Sequence, residues 1–135
     1  MSNRGPISWN SHKQSTVAHS TMEAEYMALS DASRETLARK QFGQELKIPS
    51  FSSPITILSD NQSAFEIAEN SANYRQAKHI DIRYHAISHY VRNDLLTVDY
   101  IPSNAQAADI FTKVLGPLKH HECVKLLELR NLYEQ

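Results

Sequence analysis

The sequence predicts an α/β fold, a sheet with helices packed on it. Two observations lead there. Short β-rich runs alternate along the chain with longer stretches whose apolar residues recur at helical spacing. The 135 residues, 41% of them hydrophobic and 21% charged, suit one soluble domain with one modest core, and they exclude both a disordered chain and a two-domain one.

The elements follow in order. "PISWNS" (6–11) reads as a short strand, and "STVAHS" (15–20) as an extended lead into a helix. Ser20 with Glu23 three residues later is a capping box, so the helix starts there. Met22, Tyr26, Leu29, Ala32 and Leu37 continue at near-helical spacing, to about Leu46. Gly43 weakens the last turn and Pro49 forbids further helix. "SFSSP" (50–54) is a loop, "ITILSD" (55–60) a strand, "NQSAFEIAEN" (61–70) a short helix and "SANYRQA" (71–77) a loop. "KHIDIRYHAISHYVRN" (78–93) is a longer helix that buries Ile80, Tyr84, Ile87 and Val91. "LLTVDYI" (95–101) alternates as a strand that Pro102 closes. "SNAQAADIFTKVL" (103–115) is a helix capped at Ser103 or Asn104, and Pro117 opens a terminal helix over 117–134.

Charge and composition narrow the function. Net charge is −1, so no bulk basic field advertises nucleic acid, and such a partner needs a local basic patch or a bound metal. The single Cys123 excludes an internal disulfide and fits a reducing compartment. No apolar run reaches membrane-spanning length, and "MSNRGPISWNSHKQ" lacks a signal peptide's apolar centre. The expectation is an intracellular protein, cytoplasmic or nuclear, with no membrane association.

Three carboxylates stand out by position. Glu25 borders the buried stripe of the first long helix. Asp60 ends a β-branched strand, at the carboxyl edge where α/β sheets place ligands. Asp109 lies one turn into a predicted helix, among Ala107, Ala108, Ile110 and Phe111, small enough in part for close approach to another element. Carboxylates converging at one edge repel unless a divalent cation sits between them. Hard oxygen donors suit Mg²⁺, and paired Mg²⁺ ions serve phosphodiester hydrolysis. Spacing alone equally allows three solvated surface charges.

"ISWNSHKQSTVAHSTMEAEYMALSDA", "ILSDNQSAFEIAEN", "KHIDIRYHAISHYV" and "DYIPSNAQAADIFTKVL", in that order, resemble the ribonuclease H domain at the end of copia-type (LTR) retrotransposon Gag-Pol polyproteins. The resemblance runs from about Ile7 to Leu129. It implies an RNase H-like mixed sheet with flanking helices, two Mg²⁺ (or Mn²⁺) ions, and hydrolysis of the RNA strand of RNA–DNA hybrids. It implies as partners the hybrid and the reverse transcriptase and integrase parts of the parent polyprotein, within a virus-like particle. Glu25 matches the family's Glu in "AEY", Asp60 its Asp in "SDNQ", and Asp109 its Asp in "AADIFTK". Glu23, with Ser20, is explained as the cap.

The family's site has a fourth carboxylate, an Asp on the first strand, and no acidic residue precedes Glu23 here. The expectation is a single incomplete domain over 1–135, lacking the family's first two strands and crippled in activity. A gene-model fragment, a decayed remnant and a short protein that recruits its strands from a partner all fit. So does a catalytically inactive nucleic-acid-binding module.

Other features have plainer readings beside functional ones. Lys78, His79 and Arg83 form either a phosphate-contacting face or a solvated one. His85 and His89, four apart with Asp81 one turn before, have zinc-compatible spacing but read first as a polar helix face. His120, His121 and Cys123 lack the paired spacing of a zinc site. Trp9 reads as core, with base stacking as the functional alternative.

Overall fold

The first helix shows how local sequence sets the architecture. In the computed structural model, which describes residues 5–62 and 78–130 and omits the side chains at 78–81 and 84, α1 spans Thr21–Glu45. Ser20 is extended and its Oγ accepts from the Glu23 N–H at 3.1 Å. Glu23 Oε2 in turn accepts from the His19 N–H at 2.7 Å, a capping box whose carboxylate reaches one residue further back than the usual pattern. The buried face combines Tyr26, Met27 and Leu29 with Ser30, Ser33, Lys40 and Gly43. Ser33 Oγ donates to the Leu29 carbonyl at 2.8 Å, and Lys40 Nζ to the Ser53 carbonyl at 2.7 Å, so these two buried polar groups are bonded. On the outer face Arg34 pairs with Asp31 and Arg39 with Glu35, exposed contacts that contribute little to stability.

α1 ends where expected, and Gly43 has a further role there. The Ile48 N–H donates to the Gly43 carbonyl and the Lys47 N–H to Gln44, both at 2.9 Å, with Lys47 left-handed at φ 56°. This paired closure satisfies carbonyls that a helix end leaves free. The chain then turns through a short 3₁₀ segment, Pro49–Phe51, which lays the Phe51 ring over Gly43. A Cβ on Gly43 would stand 2.8 Å from Phe51 Cδ1 and closer still to Cγ and Cδ2.

The strands β1 (Ile55–Ser59) and β2 (Leu96–Tyr100) pair in parallel, Ile55 opposite Leu96 and Ser59 opposite Tyr100. Helix α2 (Lys78–Arg92) lies in the connection between them. Val98 joins Tyr26, Leu29, Ile87 and Leu96 in one core, with its strand partner Ile57 and with Met22, Leu37, Tyr90 and Val91 packed around it. α1 touches both α2 and β1, so the two helices share this side of the sheet. The opposite side carries Thr56, Leu58, Thr97 and Asp99, with the Thr97 hydroxyl donating to Thr56 at 2.9 Å. Ser88 on α2 is buried, and its hydroxyl finds no partner among the described residues.

These elements form one compact unit, Val17–Ile101. The remaining residues, Met1–Thr16 with Pro102–Gln135, form a second. In the second unit two 3₁₀ segments, Ser103–Ala105 and Ala107–Phe111, precede α3 (Pro117–Leu126), with Pro117 at its first position as expected.

The α/β class holds, and three element predictions do not. The segment 6–11 is not a strand, because a strand needs a bonded neighbour and the described residues contain only the β1–β2 sheet. The helix predicted over 103–115 is broken into 3₁₀ turns. Gln106 leaves helical geometry at ψ 100°, and its side chain caps the second turn by accepting from the Ala108 N–H. The terminal helix stops at Leu126 and not near 134, because Glu128 turns left-handed and the Leu129 N–H bonds back to Val124. The predicted helix over 61–70 and loop over 71–77 lie almost wholly outside the described residues, as do the side chains of Ile80 and Tyr84.

Two stability predictions follow from the helix ends. Gly43→Ala on an exposed helix would stabilise by up to about 1 kcal/mol. Here the clash with Phe51 makes it cost about 1–3 kcal/mol in urea unfolding. Combined with Phe51→Ala, it loses most of that cost. α2 and α3 close as α1 does, with Asp94 and Glu128 at φ 53°. Replacing exposed Lys47, Asp94 or Glu128 with Gly therefore raises stability by about 0.5–1 kcal/mol each, whereas Ala at these positions does not.

Candidate functional site

Asp60 is held by the sheet. It is the first residue after β1 and is half-buried. The Ile101 N–H donates to the Ser59 carbonyl at 2.9 Å, so strand pairing continues up to the carboxylate. The Asn61 N–H donates to Ser59 Oγ at 3.2 Å and turns the chain away immediately after it. In the same unit, Glu25 sits in the second turn of α1 beside buried Tyr26 and Met27, and is itself exposed.

Asp109 belongs to the other unit and has a different environment. It is buried in the 3₁₀ segment Ala107–Phe111, where its Oδ1 lies 2.8 Å from Lys113 Nζ. The backbone repeats the contact, with the Lys113 N–H donating to the Asp109 carbonyl at 2.9 Å. The carboxylate is 12% exposed and the lysine side chain 55%, so a nearly buried anion is neutralised by a cation that reaches in from solvent. Sequence reasoning singled out Asp109 and missed Lys113, although a basic residue four positions after an acidic one is a legible signal.

Within neither unit do the described residues gather three His, Cys, Asp or Glu side chains into a group able to hold a metal ion. As donors, however, three carboxylates have the hard oxygen chemistry that Mg²⁺ selects. Of the proposed phosphate-contacting residues, Arg83 is half-buried on α2, and the side chains of Lys78 and His79 lie outside the described residues. His85 and His89 are exposed, and the Asn93 side-chain amide lies 3.3 Å from the His89 ring while donating to its carbonyl at 2.7 Å. His120 and His121 are exposed, whereas Cys123 is buried with its Sγ 3.8 Å from the Gln106 carbonyl.

Trp9 is not core but 66% exposed, and it stacks on Phe111 with ring centroids 6.4 Å apart and planes 6° from parallel.

The sequence is 38% identical over 127 residues to the Retrovirus-related Pol polyprotein from transposon TNT 1-94 of Nicotiana tabacum, a match covering 94% of this chain. It is 36% identical over 111 residues, 82% of the chain, to the corresponding polyproteins from transposons RE2 and RE1 of Arabidopsis thaliana. The chain is homologous to a segment of copia-type retrotransposon Pol polyproteins. It spans 9% of the tobacco polyprotein and 8% of each Arabidopsis one. No family model and no solved structure matches it. No helix among the described residues of this Pol segment is long and apolar enough to cross a membrane.

The Asp109–Lys113 pair can be measured directly. In a double-mutant cycle with Asp109→Asn and Lys113→Met, urea unfolding should give a coupling of about 0.5–1 kcal/mol that shrinks as salt rises. Lys113→Met alone should be the more damaging single change, because it strands a nearly buried carboxylate.

Proposed function

We propose that this Pol segment is of the RNase H type, with an RNase H-like fold, and that it acts on the RNA strand of RNA–DNA hybrids. The observation that supports this most is the position of Asp60. It sits directly at the carboxyl end of a paired parallel strand, the edge where α/β sheets place ligands, in a chain homologous to retrotransposon Pol polyproteins. The motif order that resembles the copia-type ribonuclease H domain supports it independently.

On this reading Glu25, Asp60 and Asp109 hold the divalent metal, Mg²⁺ or Mn²⁺. The metal would supply Lewis-acid activation of water and of the departing 3′ oxygen. The protein's own part is to fix the ligands. Strand pairing through Ser59 orients Asp60, and the Ser20–Glu23 cap fixes the first turns of α1 that present Glu25. Lys113 holds Asp109 in place and balances its charge. Lys78, His79 and Arg83 contact phosphates. A nuclease clearing a template cannot depend on base sequence, so recognition comes from groove shape and the 2′-hydroxyl. In the parent polyprotein its partners are the reverse transcriptase and integrase parts.

The fourth carboxylate decides activity. The resemblance implies a further Asp ligand on the family's first strand, and no acidic residue precedes Glu23 among these 135 residues. Tested by themselves, they should therefore show little or no Mg²⁺-dependent cleavage of a labelled hybrid. A longer Pol segment that includes that Asp should cleave. In the longer protein Glu25→Gln, Asp60→Asn and Asp109→Asn should each lower turnover by about 100-fold or more, and non-additively, because the carboxylates act as one unit. Normal cleavage by the Asp60→Asn form would sink the catalytic assignment. A gel shift with hybrid, duplex RNA and duplex DNA, with Mg²⁺ and with chelator, separates an inactive binding module from a chain with no nucleic-acid partner.

A further inference from the structure

Trp9 is large, apolar and two-thirds exposed, yet it is not loose. The indole lies nearly parallel to the Phe111 ring, with planes 6° apart and centroids 6.4 Å apart, an offset arrangement. At 66% exposure most of the residue is open to solvent. Phe111 is itself half-buried and belongs to the 3₁₀ segment that buries Asp109, so the neighbour beside the indole is anchored. The pair presents a largely open π-surface next to a fixed ring.

Charge indicates what such a surface would take. The net charge of −1 hides an asymmetry. The unit containing Trp9 and Phe111 has six Lys and Arg against four Asp and Glu, whereas the other has eight against eleven. Exposed Lys13 follows Trp9 by four residues, whereas Lys113, two after Phe111, is engaged by Asp109. A largely open aromatic ring with a cation near it in sequence, within the basic part of an acidic chain, matches the pairing that binds single strands: a base stacks on the ring and a phosphate meets the ammonium group.

We infer that Trp9, supported by Phe111, is a stacking platform for an unpaired base of a nucleic-acid strand. This deepens the proposed function and rests on it, because it requires that the chain bind nucleic acid. It concerns a different part of the substrate, however. Bases inside a hybrid are already stacked on one another, so the platform engages a single-stranded tail and leaves the paired region to groove contacts. Phe111 is a positioning residue, holding the indole so that its open surface meets a base.

Trp9 is the chain's one tryptophan, so intrinsic fluorescence reports this site alone. The 135-residue chain is titrated with four oligonucleotides: a blunt hybrid, a hybrid with a single-stranded tail, the same hybrid with an abasic tail, and a single strand. Gel shift records binding in parallel. The tailed hybrid and the single strand should change the emission, and the blunt and abasic-tailed hybrids should not, although the abasic tail keeps every phosphate. Trp9→Leu, a change at a two-thirds-exposed residue, should weaken the tailed hybrid about 5- to 50-fold and leave the blunt hybrid unchanged. Phe111→Leu should give a smaller loss, with unchanged far-UV circular dichroism. Binding by gel shift without an emission change overturns the platform and leaves the proposed function standing. Equal emission changes with normal and abasic tails overturn it as well. No binding of any oligonucleotide overturns both.

Discussion

The constraint on which the larger unit depends is that β1 and β2 are parallel. Parallel neighbours cannot be joined by a tight turn, so the chain must leave the end of β1, travel the length of the sheet and re-enter at the start of β2. α2 makes part of that return, and its Ile87 and Val91 meet Ile57, Leu96 and Val98 on the way. α2 occupies one side of the two strands, and α1 packs on the same side by contributing Tyr26 and Leu29 to the shared core. The same parallel arrangement puts Asp60 and Ile101 together at one end of the sheet, where the last inter-strand hydrogen bond closes.

A parallel sheet is normally covered on both faces. Here one face is packed, and the other carries a Thr56–Thr97 hydroxyl pair with Leu58 about half exposed. Burial alternates along β1, whose β-branched run "ITILSD" identified the strand from sequence to within one residue. The same logic explains α1. A cap, a long apolar stripe and a downstream proline are local signals, and each agreed with the tertiary packing. What local signals could not convey was why Gly43 is there. It looks like a weak point in a helix, and only the return of Phe51 eight residues later makes it a packing requirement.

The misread segments share a different physics. "PISWNS" has the alternation of a strand, but alternation describes only side chains, and a strand is defined by what its backbone bonds to. In 103–115 the alanines favour helix, yet Gln106 competes by bonding its own side chain to the Ala108 N–H, and the result is two short 3₁₀ turns. The end of α3 was illegible because non-glycine residues close α1, α2 and α3, the helices among the described residues, in the left-handed conformation. Lys47, Asp94 and Glu128 give no glycine signal to read. As for the site, the positions of the carboxylates were legible from their elements, whereas their surroundings were not, since exposure and partners depend on packing.

Those surroundings differ enough to separate the three carboxylates in their electrostatic roles. Glu25 is exposed, so water already solvates it, and a cation gains little from it alone. Asp60 is half-buried at a fixed strand end, where a ligand's geometry is set before any ion arrives. Asp109 is the extreme case, a nearly buried anion whose desolvation is offset by Lys113. Its place in the fold thus already demands a positive charge. Any other cation must displace the ammonium, so its apparent affinity is lowered by the fraction of time that Lys113 occupies the carboxylate. A divalent ion makes that exchange favourable only where further oxygen donors share its charge, which a single carboxylate cannot provide. On the proposed function, Lys113 would therefore resist a lone metal ion and yield only to one shared with further oxygen donors.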